Sequence, residues 1–212
     1  MAQVMVDLAM SVDGFIAGSN DGSDQPLGDG GMRLFDWYFD GDTPIRHYQE
    51  AAARGASVPP FKLSRSSAEV FEELIESTGA VVTGRRTYDI SDAWGGDGPL
   101  PGVPLFVLTH TAPDVVPQGE STYTFVTDAV ESAIEQAKAA AGDNYVSLMG
   151  ASIPQQCLRA GLLDEIQIHL VPVLLGAGVR LFDHLGTKSI ELETIRVVDS
   201  PGVTHLRFRV LR

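Results

Sequence analysis

Two glycine-containing junctions carry the residue types best suited to binding an anion. In the first, residues 80–88, a short apolar run opens onto Gly84, Arg85, Arg86 and Thr87. Glycine allows a ligand to approach the backbone closely, and arginine offers a fork of donors to a phosphate or carboxylate. The pattern is typical of a buried strand that delivers a loop to an anionic ligand, although a strand that ends in a solvated turn has the same appearance.

The second junction follows a predicted strand at residues 145–149. It contains Gly150, Ala151, Ser152 and Ile153, and Pro154 then suits the first turn of a helix. A helix N-terminus presents free N–H groups and a partial positive charge, so this junction can receive a phosphate. A tight connection with no ligand remains the alternative.

Asp7 is the carboxylate whose position best suits proton chemistry. It lies in a predicted first strand, residues 3–10, and the period-two alternation places it on the face of Ala9, opposite Val6, Leu8 and Met10. A carboxylate in an apolar strand is costly unless it is paired, functional or near solvent at a strand edge. Asp7 is therefore a candidate for polar contact with a substrate or for proton delivery to it.

Two other chemistries have partial signals. Residues 150–154 differ by one residue from the Gly-x-Ser-x-Gly nucleophile elbow, and Asp183 and His205 follow in the order of a hydrolase triad. Because the final glycine is missing, a serine hydrolase that uses Ser152 is only an alternative. The five histidines show no metal-ligand spacing, and mid-strand His169 is typical of a core residue, so we expect no metal site.

Composition limits the possible partners. The chain of 212 residues has a net charge of −13, which disfavours nucleic acid as a partner. A single cysteine, Cys157, suits a reducing compartment, and neither a signal peptide nor a membrane-spanning run is apparent. We therefore expect a cytoplasmic protein that binds a small molecule and not a membrane.

The elements that must position these residues alternate between strand and helix. A capping-box pattern at residues 66–69 predicts a helix that Gly79 ends, and Thr127 or Asp128 caps a later helix. Strands at residues 189–198 and 203–211 predict a C-terminal antiparallel hairpin. Residues 1–212 thus form one α/β domain with a mixed, mainly parallel sheet, interrupted by a loop-rich insertion at about residues 18–64 that holds an aromatic segment, residues 34–39.

Four segments together resemble the dihydrofolate reductase superfold. They are residues 8–17, 82–88, 149–153 and 169–182, in the family's order along the chain. They are most similar to the C-terminal reductase domain of the bacterial bifunctional riboflavin deaminase/reductase and its freestanding relatives. The zinc signature of a deaminase half is absent.

The resemblance implies NADPH as the cofactor and a homodimer as the assembly. Ala9 and Ile16 would contact the nicotinamide end, and Thr109 and His110 would line the adenosine side. The phosphates would be held by residues of the two junctions: Gly84, Arg85, Arg86, Thr87, Gly150, Ala151, Ser152 and Ile153. In this arrangement the two arginines lie near the adenosine 2′-phosphate.

The resemblance also bears on the substrate. Dihydrofolate reductases place an acidic residue early in the first helix to help protonate the pterin, and Asp36 is its loose positional counterpart, which makes it the second catalytic candidate. The riboflavin-pathway substrate carries a ribose phosphate, for which five cations of the insertion and its border are available: Arg33, Arg46, Arg54, Lys62 and Arg65. The sequence thus predicts an NADPH-dependent reductase of a heterocyclic or carbonyl substrate, with a non-catalytic nucleotide-binding or dimerising module as the alternative.

Overall fold

A sheet of eight strands forms the centre of the fold. The computed structural model describes residues 2–212. Its strands are β1 Val4–Ser11, β2 Phe15–Ala17, β3 Thr43–Pro44, β4 Lys62–Leu63, β5 Thr78–Gly84, β6 Leu105–Leu108, β7 Tyr123–Val126, β8 Tyr145–Met149, β9 Glu165–Val171, β10 Val179–Arg180, β11 Leu192–Ser200 and β12 Val203–Val210. The α-helices are α1 Arg46–Arg54, α2 Arg65–Ser77, α3 Arg85–Ile90, α4 Val130–Ala141 and α5 Ser152–Arg159, with 3-10 helices at Gly31–Tyr38 and Asp92–Gly96.

The central sheet has the order β11-β12-β9-β1-β8-β5-β6-β7. All pairs from β9 to β7 are parallel, whereas β12 pairs antiparallel with both β9 and β11. Parallel strands need helical crossovers, which cover the sheet on both faces and favour continuous apolar runs such as those of β5 and β8. The predicted mixed, mainly parallel sheet with a C-terminal antiparallel hairpin is confirmed.

Each face of the sheet has its own hydrophobic core. Val4 and Val6 of β1 pack with α4 and α5, while Met5 and Ala9 pack on the other face with α2, α1 and the 3-10 helix Gly31–Tyr38. The alternation predicted for β1 is therefore present. The aromatic segment of the insertion belongs to the second core, where Trp37 and Tyr38 are buried.

Three boundaries differ from the sequence prediction. Helix α2 starts earlier than the pattern at residues 66–69 indicates, because Ser64 is extended and its side chain accepts the N–H of Ser67. Helix α4 begins after Ala129 and has no side-chain cap. Gly79 lies inside β5, where an added Cβ would approach the carbonyl oxygen of Ala141 to 2.6 Å, so this glycine permits close packing against the end of α4.

Within residues 2–212, no helix combines the length and the apolar character needed to cross a membrane.

Candidate active site

A polar cleft opens where β5 and β6 end and α5 begins. Its volume is about 500 Å³. Six of the residues predicted to bind the cofactor line it: Gly84, Arg85, Thr109, His110, Ser152 and Ile153. They meet because the carboxyl ends of neighbouring parallel strands lie at one edge of the sheet, where open α/β sheets bind ligands.

The two glycine junctions touch each other in this cleft. A Cβ added to Gly84 would lie 3.1 Å from Ser152 Oγ, and one added to Gly150 would lie 2.5 Å from Thr87 Oγ1. Gly150 also has φ +76°, a conformation that side chains disfavour. Helix α5 follows Ala151 without a side-chain cap, so the first N–H groups of the helix are available to an anion.

The two arginines of the first junction diverge. Arg85 lines the cleft, where its Nε donates to the Asp89 carboxylate at 2.8 Å and its Nη1 donates to the carbonyl of Thr111 at 2.8 Å. Arg86 instead turns to the insertion and forms a salt bridge of 2.9 Å with Asp21. Of the two arginines, only Arg85 lines the cleft.

Ala9 and Ile16 lie outside the cleft. Ala9 lines a second cavity on the other side of β8. Ile16, in β2, is half-buried and packs against the core on the α4 and α5 face.

The second cavity has a volume of about 650 Å³ and is largely aromatic. Six rings line it, together with Asp7, Ala9, Ser147 and Met149: those of Phe35, Tyr38, Tyr48, Phe61, Phe71 and Trp94. Its walls come from the insertion, from α2 and from the loop after α3. The residues that line it in the described chain include Asp92 as a second carboxylate and no Lys, Arg or His.

Asp7 presents one free carboxylate oxygen beside this cavity. Its side chain is only 6% exposed, and its Oδ1 lies 3.0 Å from His169 Nε2. Oδ2 is buried and has no hydrogen-bond partner among residues 2–212. A buried carboxylate oxygen without a partner is costly, so it marks a place where a ligand donor would be stabilising.

A hydrogen-bonded chain holds the other oxygen of Asp7. His169 Nδ1 lies 2.6 Å from His205 Nδ1, and His205 Nε2 lies 3.0 Å from Ser67 Oγ. Burial, with smaller contributions from the charges of His169 and Arg196, lowers the pKa of His205 to about 3, so this ring is neutral. One set of donors is consistent with these contacts: Ser67 Oγ donates to His205 Nε2, His205 Nδ1 to His169 Nδ1, and His169 Nε2 to Asp7 Oδ1.

The chain follows from the sheet register. His169 of β9 pairs with Ala9 of β1 and with His205 of β12, so Asp7 and both histidines lie on one face of three adjacent strands. The ring of Trp37 covers them, with centroids 5.1 Å from His169 and 5.3 Å from His205. This cover keeps water from competing for the hydrogen bonds.

Two tyrosines face the same cavity as neutral hydroxyls. Burial and, after it, the charge of Asp7 raise the pKa of Tyr38 and Tyr48 well above the usual value. The hydroxyl of Tyr48 donates to the carbonyl of Pro99 at 3.1 Å. Both hydroxyl groups therefore keep their protons at neutral pH.

The structure does not bring the second catalytic candidate to this cavity. Asp36 is exposed, pairs with Arg33 at 3.1 Å, and is absent from the lining of the Asp7 cavity. It lies on the outer side of the 3-10 helix, whose inner side carries Trp37 and Tyr38. Its role in catalysis stays a prediction that these contacts do not support.

The residues of the hydrolase alternative are also separated. Ser152 lines the polar cleft, whereas both ring nitrogens of His205 are engaged by His169 and Ser67. The nearest histidine to Asp183 is its neighbour His184, at 3.8 Å. The structure thus does not assemble a triad around Ser152.

Sequence reasoning missed the contributions of Ser67, His169 and His205. The available signal was a polar side chain in each of three strands, Asp7 in β1, His169 in β9 and His205 in β12. The signal is weak for the histidines, because the same face of β9 also carries Glu165 and Gln167. The sequence does not show that β1, β9 and β12 are neighbours in the sheet. The contact between Asp7, His169 and His205 could therefore not be predicted from it.

The family model of the RibD C-terminal domain matches residues 2–206. The chain belongs to this family. A putative riboflavin biosynthesis protein from Shewanella sp. PV-4 is 26% identical, with a TM-score of 0.66 and full coverage of both chains. RibD from Acinetobacter baumannii, at 15% identity and a TM-score of 0.60, matches all of this chain over 58% of its own. No curated protein gives a significant match.

The fold extends to dihydrofolate reductases. The enzyme from Enterococcus faecalis, described in complex with NADP(H), is 14% identical and has a TM-score of 0.54, with 99% of this chain and 97% of that chain covered. Family and fold together support an oxidoreductase related to the reductases of riboflavin biosynthesis.

Proposed function

We propose that the protein is an NADPH-dependent reductase that transfers hydride to a small heterocyclic or carbonyl substrate. The observation that carries this proposal is that one segment of the chain, β8 with the start of α5, supplies residues to both cavities. Ser147 and Met149 of β8 line the Asp7 cavity, and Ser152 and Ile153 of α5 line the polar cleft. A dinucleotide in the cleft would extend along this segment toward a substrate beside Asp7.

The cofactor roles follow from this placement. The backbone at Gly84 and residues 150–153, with Thr87, would hold the pyrophosphate, and Thr109 and His110 would line the adenosine. Arg85 would contact the 2′-phosphate, and Arg86 would join it on leaving Asp21. Ala9, in the wall of the second cavity, would meet the nicotinamide end, with Ile16 behind it. Bound NADPH would supply the hydride.

Asp7 is the proposed catalytic residue of the substrate side. Its free Oδ2 would bind or protonate the substrate, while His169, positioned by His205 and Ser67, fixes the carboxyl group through Oδ1. General acid catalysis of this kind requires a donor within hydrogen-bond reach of the reacting atom, which the cavity allows.

Fluorescence titration with NADPH and NADH, followed by turnover assays with pyrimidine, pterin and carbonyl acceptors, tests the proposal. We expect saturable binding that favours NADPH and hydride transfer to at least one acceptor class. Binding without any turnover would support the non-catalytic module, and the absence of binding would contradict both. Labelling of Ser152 by a fluorophosphonate would revive the hydrolase alternative.

A homodimer and a cytoplasmic location stay predictions. The edge strand β11 exposes Leu192, Ile195 and Val197, a row of apolar side chains compatible with a contact between copies. Light scattering at several protein concentrations would measure the assembly.

A further inference from the structure

The Asp7 cavity has a charge pattern that constrains its ligand. Carboxylates of Asp7 and Asp92 line it, and its described lining contains no cationic side chain. None of the four arginines considered for a ribose phosphate lines the cavity, and each pairs with a carboxylate outside it: Arg33 with Asp36, Arg46 with Glu76, Arg54 with Glu120 and Arg65 with Glu69. Lys62 is exposed and does not line the cavity. A phosphate placed here would face negative charge without compensation.

The shape and lining of the cavity favour a flat ring. The rings of Tyr38 and Phe61 pack at a tilt with their centroids 4.6 Å apart, and Tyr38 meets Phe71 edge-on at 5.4 Å, so one wall is a packed aromatic surface. Aromatic walls bind planar groups through offset or edge contacts. Among residues 2–212, Asp7 Oδ2 is the one buried side-chain oxygen or nitrogen of the cavity lining that has no hydrogen-bond partner.

We propose, resting on the function above, that the substrate is an unphosphorylated planar heterocycle, neutral or cationic, that donates a ring or amino N–H to Asp7 Oδ2. An N–H donor removes the cost of the unpartnered oxygen, and a positive ring gains a charge-assisted hydrogen bond. The same carboxylates repel an anion. The protein then differs in substrate from any reductase that acts on a phosphoribosyl compound, although its family is shared with the RibD reductases.

Direct ligand binding in the absence of NADPH tests this inference. Trp94 lines the cavity, so quenching of tryptophan fluorescence reports occupancy. The probes are 2,4-diaminopyrimidine, the anionic pyrimidine orotate, and an aminopyrimidine ribonucleoside with its 5′-phosphate. We expect the diaminopyrimidine to bind at least about tenfold more tightly than orotate, and the nucleoside at least about tenfold more tightly than its phosphate. Equal or tighter binding of the phosphate, or no binding of the diaminopyrimidine, would overturn the inference.

Two variants test whether the preference for diaminopyrimidine over orotate depends on the carboxylate of Asp7. Asp7→Asn keeps the size of the side chain and an acceptor for His169, and it should abolish the preference for diaminopyrimidine over orotate. Asp40→Asn, which removes an equal charge from an exposed position, is the matched control and should retain the preference. An unchanged preference in Asp7→Asn would contradict the role of Oδ2.

A variant designed to bind the 5′-phosphate more tightly tests the charge argument in the opposite direction. Ser57 is exposed at the rim of the cavity, so Ser57→Arg adds the missing cation without disturbing the buried wall. We expect it to raise the affinity for the 5′-phosphate about tenfold and to leave the nucleoside unchanged. No gain for the phosphate would count against the charge argument. Because no cofactor is present, failure of this inference is distinguishable from failure of NADPH binding.

Discussion

The polar cleft and the Asp7 cavity both receive residues from the segment of β8 and α5, yet they are built in different ways. The cleft is lined by residues at the ends of β5 and β6 and at the starts of α4 and α5, and Gly84 and Gly150 let the two glycine junctions pack closely beside it. The Asp7 cavity is lined by side chains from the insertion, from α2, from the loop after α3 and from β1, β5 and β8. Under the proposed function, the first region would hold the cofactor and the second would select the substrate.

This comparison predicts that changes in the two regions have separable effects. The largest should come from Asp7→Asn, because general acid catalysis typically contributes about 10² to 10⁴ in rate. We expect kcat to fall by about that factor while the Kd for NADPH is unchanged. Steady-state NADPH oxidation together with fluorescence titration measures both. A normal kcat would remove Asp7 from the mechanism.

Arg85→Ala should act on the cofactor only. A charged hydrogen bond to a phosphate is worth about 1.5 to 3 kcal/mol, so NADPH should bind at least about tenfold more weakly, with little change for NADH. Arg86→Ala should have a smaller effect, because Arg85 lines the cleft whereas Arg86 turns away from it to Asp21. Isothermal titration with both cofactors measures the difference, and equal losses for NADPH and NADH would contradict a 2′-phosphate contact.

Gly150→Ala should destabilise the fold itself. The substitution forces a side chain into φ +76° and brings its Cβ to 2.5 Å from Thr87 Oγ1. Gly161→Ala is the control, since Gly161 has φ +67° with open space around it. Both variants place an alanine in the left-handed region, which costs about 1 to 2 kcal/mol in each. A loss of unfolding free energy that is larger in Gly150→Ala than in Gly161→Ala therefore measures the cost of the close contact with Thr87. Denaturant unfolding of the pair would show equal losses if the contact were unimportant.

The smallest effect at neutral pH concerns His205. Its pKa of about 3 in the folded protein lies below its ordinary value of 6.5, so the unfolded chain binds more protons at acidic pH. The free energy of unfolding should therefore decline as the pH falls from about 6.5 toward 3. In His205→Asn this part of the decline should disappear, and denaturant unfolding at a series of pH values would reveal it. An equal slope in the variant would show that His205 is not the responsible group.

The difference between the polar cleft and the Asp7 cavity also explains which features could be predicted from the sequence. The sheet, the terminal hairpin and both glycine junctions were predictable because alternation, glycine and helix-start signals are local. Asp7 could be identified as a candidate functional residue because it is a carboxylate in an otherwise apolar strand. Its partners were not, since Ser67, His169 and His205 lie in separate segments that only the strand order β12-β9-β1 brings together. The divergence of Arg86 toward Asp21 likewise depends on the path of the insertion.

Asp36 illustrates the limit of a positional argument. The aromatic segment forms a 3-10 helix whose buried side carries Leu34, Trp37 and Tyr38, and this leaves Asp36 on the outer surface. The same segment packs on the core and also lines the Asp7 cavity.

NADPH titration of three proteins tests the separation of the two regions most directly. Gly84→Val should fill the polar cleft, because even a Cβ at this position would lie 3.1 Å from Ser152 Oγ. We predict that the unaltered protein and Asp7→Asn bind NADPH with similar Kd, and that a folded Gly84→Val binds it at least about tenfold more weakly. No binding by the unaltered protein, or unchanged binding by Gly84→Val, would contradict the account.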